Sequence, residues 1–273
     1  MKQAIILNSR FIDNVLECSW LIIETRLLEN ISSRQTTVFL NPGAAICGDT
    51  NMTGYLLPLQ TAFEANADPD QAAPMKKYMR EKFEYLGIKT PQRRALIKAF
   101  YAEHGPPPVD ELEDLVRRLW AMPYREYQYT ALEFLAKRQR YLTPDSVPLL
   151  EMLITTKSWW DTVDGLAANQ VGGVIARFPE IRDAHIGLWR RQENFWLRRT
   201  TLLFQLRYKA KTDENLLFAL IAENLADKEF FIQKAIGWSL REYSKSNGTA
   251  VQQFVAATAL SPLAHREALK WMK

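Results

Sequence analysis

Two short segments of this chain hold the residue types that chemistry on a polyanion needs. Residues 157–164, KSWWDTVD, carry Trp159, Trp160, Asp161 and Asp164, and residues 195–200, FWLRRT, carry Trp196, Arg198 and Arg199. On a helix Trp160 and Asp164, four apart, share a face, whereas Asp161 is turned roughly 100° away. One aromatic surface and one carboxylate are thereby presented together. Trp196 and Arg199, three apart, also share a face, and an arginine fork can hold a phosphate while the neighbouring ring packs on sugar or base. Trp238 and Arg241 repeat that relation in EFFIQKAIGWSLREYSK. Nucleic-acid chemistry is the first expectation. The same residues also admit purely structural roles: one tryptophan of the pair in the core, the aspartates capping or solvating a helix, Trp196 as an interhelical knob, Arg198 paired with a nearby acid. Two adjacent tryptophans on a helix cannot both point fully inward.

The elements that would position these residues read almost wholly as helices. Apolar periodicity predicts them at 54–66, 73–84, 91–103, 109–121, 124–138, 144–155, 158–176, 179–191, 194–208, 213–225, 229–244, 249–257 and 262–271. Thr90-Pro91, Thr143-Pro144 and Ser261-Pro262 read as N-caps followed by a first-turn proline, whereas Pro58 weakens the first prediction. Short punctuation between helices implies antiparallel neighbours. Helices beginning at Tyr124, Ser158, Asn194 and Glu229 place Tyr127, Trp160, Trp196 and Phe231 at steps of 33, 36 and 35 residues. Such a period predicts an all-α, HEAT-like solenoid of stacked helix pairs with a concave inner face, rather than a compact bundle. Residues 1–52 differ in composition and are read as a leader with no assigned chemistry, leaving 53–273 as the helical-repeat domain.

Composition limits the alternatives. With 273 residues, 47% of them hydrophobic, the chain can bury a substantial core. A net charge of +4 is too small to imply a polyanion partner by itself, but nine basic residues from Arg177 to Lys211 face only Glu180, Asp183 and Glu193, which predicts a local basic surface. Two cysteines, Cys18 and Cys47, support neither a disulfide framework nor a cysteine-rich metal site, and a reducing cytoplasm is the expected compartment. No apolar run reaches membrane-spanning length. His104, His185 and His265 are isolated, and no phosphate-binding or dinucleotide glycine motif occurs, so neither a metal nor another cofactor is expected.

With these motifs in order, the chain resembles the AlkD-like family of bacterial DNA alkylation repair glycosylases. The resemblance runs from about Gly54 to Lys273 through APMKKYM, FEYLGIKTPQRR, EMLITTKSWWDTVD, FWLRRTTLLFQLRYK, EFFIQKAIGWSLREYSK and LSPLAHREALK. It implies a solenoid that binds alkylated duplex DNA and hydrolyses the N-glycosidic bond of cationic N3- and N7-alkylated purines, as a monomer acting on the bacterial chromosome without an obligate protein partner. The family's catalytic aspartate matches Asp164, its sugar-facing tryptophan Trp160, its phosphate- and lesion-contacting arginine Arg199, its second aromatic wall Trp238, and its early DNA-contacting tyrosine Tyr78. Trp196, Arg198 and Arg241 join the expected DNA contacts. Lys89 stands where some members have glutamine, which bears on one DNA contact.

The implied mechanism is electrostatic. A purine alkylated at N3 or N7 leaves as a neutral base, so its departure needs no protonation, and an anionic aspartate can stabilise the oxocarbenium-like sugar or position water. Lys157 and Lys234 lie nearby in sequence, but the resemblance gives neither a Schiff-base role, so an abasic site rather than strand cleavage is expected. Two rivals use the same residues without hydrolysis: a helical-repeat protein that binds damaged or branched DNA, and a protein-binding scaffold with tryptophan and arginine hot spots. Asp164 beside Trp160 favours the enzyme.

Overall fold

The computed structural model describes residues 50–272, with side chains from Gly54 onward. The expected leader therefore lies outside the described residues, except that Thr50, Asn51 and Met52 open the first helix. The chain continues as α1 (Thr50–Ala65), α2 (Pro69–Tyr78), α3 (Thr90–His104), α4 (Leu112–Ala121), α5 (Arg125–Lys137), α6 (Val147–Thr155) and α7 (Trp160–Gly165). A π-helical turn, Leu166–Val171, joins α7 directly to α8 (Gly172–Arg177). Then come α9 (Arg182–Trp189), α10 (Phe195–Leu203), α11 (Glu214–Glu223), α12 (Phe230–Ser244), α13 (Gly248–Ala257) and α14 (Pro262–Ala268). Among the described residues there is no strand, only an isolated bridge between Glu84 and Tyr124.

Local chemistry explains where the helices begin. Asp68 accepts from the Asp70 and Gln71 amides at 3.0 and 3.1 Å ahead of Pro69, so α2 starts four residues before the predicted position. Asn194, Asp213, Glu229, Asn247 and Ser261 likewise cap α10, α11, α12, α13 and α14 through side-chain oxygens. Thr143-Pro144 opens a 3-10 turn with a capping box, and α6 follows from Val147. Thr90 is the first residue of α3 rather than its cap.

Helices adjacent in sequence pack together, α4 with α5, α9 with α10, α12 with α13, and α5, α7, α10, α12 and α14 pack on one another in that order. This is the HEAT-like repeat architecture. Phe134, Leu150, Val174, Phe204, Leu220 and Ile236 are among the buried side chains running through it. Helices α5, α7, α10 and α12 begin at Arg125, Trp160, Phe195 and Phe230, each 35 residues after the last. The predicted aromatic register was therefore slightly wrong. Trp196 and Phe231 occupy second helical positions equivalent to Asp161 and Glu126, whereas Trp160 is a first position and Tyr127 a third. Fifth positions are Tyr129, Asp164, Arg199 and Lys234.

The expected basic surface from Arg177 to Lys211 is largely a set of staples between repeats. Arg177 donates to the carbonyls of Gln139, Arg140 and Leu142 at 3.0, 2.7 and 2.5 Å. Arg182 pairs with Asp213 at 3.0 Å, and Arg190 with Glu223. These partners lie about one repeat away in sequence, which makes the arginines links of the stack, while Arg191, Arg207, Lys209 and Lys211 remain exposed.

Candidate active site

Asp164 and Arg199 occupy the same position in consecutive repeats, so the 35-residue step carries them to facing points of α7 and α10. Arg199 Nε donates to Asp164 Oδ1 at 2.7 Å and its second terminal nitrogen to Oδ2 at 2.9 Å, a bidentate pair. Both side chains are buried, Asp164 being 3% and Arg199 0% exposed. The remaining guanidinium nitrogen donates to the Phe231 carbonyl at the start of α12, and the Phe231 ring lies 5.8 Å from the guanidinium carbon. Three repeats thus converge on one ion pair. Burial raises the Asp164 carboxyl above its ordinary value; Arg199 pulls in the other direction, and the Asp161 charge adds to the rise.

Trp159 and Trp160 divide the roles that the sequence left open. Trp159, extended at φ −159° and ψ 161°, holds the N-cap position of α7 and is buried against Trp196 and Phe231, with centroids 5.9 and 4.9 Å away. Trp160 opens α7, is half-buried, and meets Tyr78 edge to face at 6.1 Å. Tyr78 ends α2 and is 60% exposed. The following Arg80 and Glu81 both have positive φ, a conformation that bulky residues adopt only when their surroundings impose it. Lys82 then lies 4.7 Å above the Trp159 ring. The structure therefore joins Tyr78, Trp160, Asp164 and Arg199 through two pairwise contacts that meet on α7.

Other expected contacts are placed differently. Arg199 is not an open surface arginine: its fork is engaged by Asp164, which makes it a holder of that carboxylate in this conformation. Arg198 donates to the Gln192 and Glu193 carbonyls and to Asp227 at 2.8 Å, the structural alternative named for it above. Arg241 pairs with Glu267 at 2.8 Å, and Trp196 packs as a knob at 7% exposure. Trp238 is nearly buried on α12, two turns beyond Phe231. Lys89 is exposed at the N-cap position of α3. Lys157 donates to the Ala121 and Met122 carbonyls at 3.1 and 2.7 Å, completing the end of α4. A cleft of about 150 Å³ between the C-terminal ends of α10 and α12, lined in part by Leu206, Ser239 and Tyr243, includes none of these residues.

The single expected helix at 158–176 is interrupted, and the interruption sits immediately beyond Asp164. The π turn gives the α7 half, with Trp160 and Asp164, a different angular phase from α8. Its exit is fixed by Gly172, where a Cβ would fall 2.3 Å from the Phe204 carbonyl oxygen, so α8 and the end of α10 approach backbone to backbone. Tyr208 closes the contact by donating to the Gly172 carbonyl at 2.7 Å. Among the described residues no group of three or more His, Cys, Asp or Glu could hold a metal ion, and no helix is long and apolar enough to cross a membrane.

Stacked helix pairs with a buried carboxylate–arginine pair between repeats and aromatic side chains beside it define a HEAT-like protein with a candidate nucleic-acid site. A family model described as DNA alkylation repair enzyme matches residues 59–272, and the chain belongs to that family. A solved structure described as a predicted DNA alkylation repair enzyme from Enterococcus faecalis is similar at 36% identity and a TM-score of 0.70, over 76% of this chain and 96% of that one. No curated protein matches the chain.

Proposed function

We propose that the protein is a monofunctional DNA glycosylase that hydrolyses the N-glycosidic bond of cationic N3- and N7-alkylated purines in duplex DNA and leaves an abasic site. The observation that carries this reading is the Asp164 carboxylate, buried, held by both oxygens on Arg199, and set one helical turn from Trp160. A carboxylate in a dry setting acts on developing positive charge far more strongly than one in water. The bidentate fork fixes its orientation before the sugar arrives, so little reorganisation remains for the reaction itself. Trp160 and Tyr78 supply ring surface for deoxyribose or base, and Trp238 is the second wall. The damaged base supplies its own leaving-group activation. Selectivity then follows the lability of the nucleotide, so neutral lesions such as uracil and 8-oxoguanine react poorly.

Release of 7-methylguanine from methylated duplex DNA tests the reading, with wild type and Asp164→Asn compared and EDTA in a parallel reaction. Release that survives EDTA and collapses in the variant, with DNA binding retained, supports the glycosylase. One feature favours the noncatalytic rival: both Asp164 oxygens already accept from Arg199, the arrangement of a structural ion pair. Tight binding without release of any cationic adduct would establish that rival.

A further inference from the structure

One repeat before the Asp164–Arg199 pair lies a second buried pair of the same kind, and it grips the same short helix. Arg125, fully buried at the start of α5, donates from Nε to Asp161 Oδ2 at 2.9 Å and from a terminal nitrogen to Oδ1 at 2.6 Å. It also donates to the Lys157 carbonyl at 2.8 Å and to Thr162 Oγ1 at 2.9 Å, with its guanidinium carbon 3.7 Å from the centre of the Phe83 ring. Lys157 holds a positive φ of 47°, and the extended Trp159 follows two residues later. The guanidinium therefore reaches the backbone before α7, a carboxylate in its first turn and a hydroxyl beside it. Tyr129 adds a third donor to Asp161, at 2.7 Å to Oδ2, and its own oxygen lies 3.1 Å from that of Tyr85.

We propose that the Arg125–Asp161 pair is a positioning unit for the reaction, which fixes the first turn of α7 with Trp160 and Asp164 and balances charge beside the Asp164 carboxylate. The inference rests on the role given to Asp164 above. Asp161 stands three residues before Asp164, within the range at which helical side chains influence one another. Its charge opposes ionisation of Asp164, and Arg125, bound to both of its oxygens, offsets that charge at the source. The charged groups that act on the Asp164 carboxyl are Arg199, from α10, and Asp161, on α7 itself. Arg125 and Tyr129 of α5 reach Asp161, with Tyr85 behind Tyr129; Glu151 of α6 accepts from Trp189 Nε1 at 3.0 Å; and the π turn contains no titratable side chain.

A charge-balancing pair makes a signed prediction that a merely structural pair does not. Arg125→Met leaves Asp161 unopposed and moves the Asp164 titration upward by roughly 0.5 to 1 pH unit, whereas Asp161→Asn leaves Arg125 unopposed and moves it downward by about as much. The double variant returns it towards the wild-type value. The readout is the carboxyl carbon resonance of Asp164 in protein labelled at aspartate, assigned with Asp164→Asn and followed over pH without DNA. Opposite shifts in the two single variants support the proposal, and unmoved or parallel shifts overturn it. If Arg125→Met does not fold, Asp161→Asn decides alone, a downward shift for and an unchanged titration against. Wild-type base release is measured separately, so an inactive protein would refute the glycosylase reading while the titrations still judge the pair. With activity present, the acid limb of the rate profile moves in the same direction as each titration.

Discussion

Two of the carboxylates that link consecutive repeats have opposite electrostatics. Between α7 and α10, Asp164 meets a single arginine in a dry setting, and burial drives its carboxyl above the ordinary value. Between α12 and α14, Glu267 accepts from Lys234 and Arg241, both at 2.8 Å, in a partly wet setting. Burial opposes ionisation there too, but Lys234, Arg241 and Lys270 together outweigh it and hold the Glu267 carboxyl low. A surplus of cations at the surface makes a staple. One cation in the interior makes a carboxylate whose charge the fold tolerates rather than favours, and such a charge is the more useful one for stabilising a cationic sugar.

The sharpest way to break this contrast is to unpair the dry link. Arg199→Met abandons a buried carboxylate, and chemical denaturation should show a loss of about 3–5 kcal/mol. Next comes Asp164→Asn, which should lower base release by about 10² to 10³ in a single-turnover assay while leaving DNA affinity close to wild type. Gly237→Ala probes the wet link sterically. A Cβ at that position falls 2.5 Å from Glu267 Cβ and 2.7 Å from the Ala264 carbonyl oxygen, so α12 and α14 must part, at a cost of about 1–3 kcal/mol by urea titration. The smallest change is Glu267→Gln, roughly 1 kcal/mol at neutral pH.

Acid sharpens the comparison further, because the signs differ. Glu267 titrates below its ordinary value, so its contribution to stability is present above that value and disappears as pH falls through the lowered one. The difference in thermal midpoint between wild type and Glu267→Gln should shrink to nothing on acidification. Asp164 titrates above its ordinary value, so the stability it confers belongs to the acid side and is lost as pH rises through the folded value. The proposed reaction needs the ionised form, and base release should therefore increase across the window in which that stability declines.

How much of this was legible in the chain follows from the range of the interactions involved. Helix positions came from periodicity, and the Ser261 cap, a contact three residues long, was read correctly. The start of α2 was missed although Asp68-Pro69 is a strong cap signal, because the apolar pattern begins only later. Trp160 and Asp164 share a helix, so their common face needed no tertiary knowledge. The Asp164–Arg199 contact spans 35 residues and required the repeat register to be right to the residue, whereas the aromatics used to set it occupied first, second and third positions. Arg125 carried no local signal at all. It stands beside tyrosines in an ordinary polar helix start, and its partners are 32 to 37 residues away. For Arg198 the sequence offers an acid partner without saying which, and for Arg241 none, because Asp227 and Glu267 approach only after the repeats stack.

The π turn after Asp164 has a mechanical consequence. In an uninterrupted helix, the direction of every side chain is geared to that of every other, so adjusting the pointing of Asp164 would also rotate the apolar ridge of α8 against its neighbours. The wide turn at Leu166–Val171 sets a phase offset between the two halves, so each can face its own neighbours. The rear half is fixed where Gly172 meets Phe204, and the front half takes its direction from the arginines that hold Asp161 and Asp164. Removing one residue from that turn would engage the gear again and swing Trp160 and Asp164 round together.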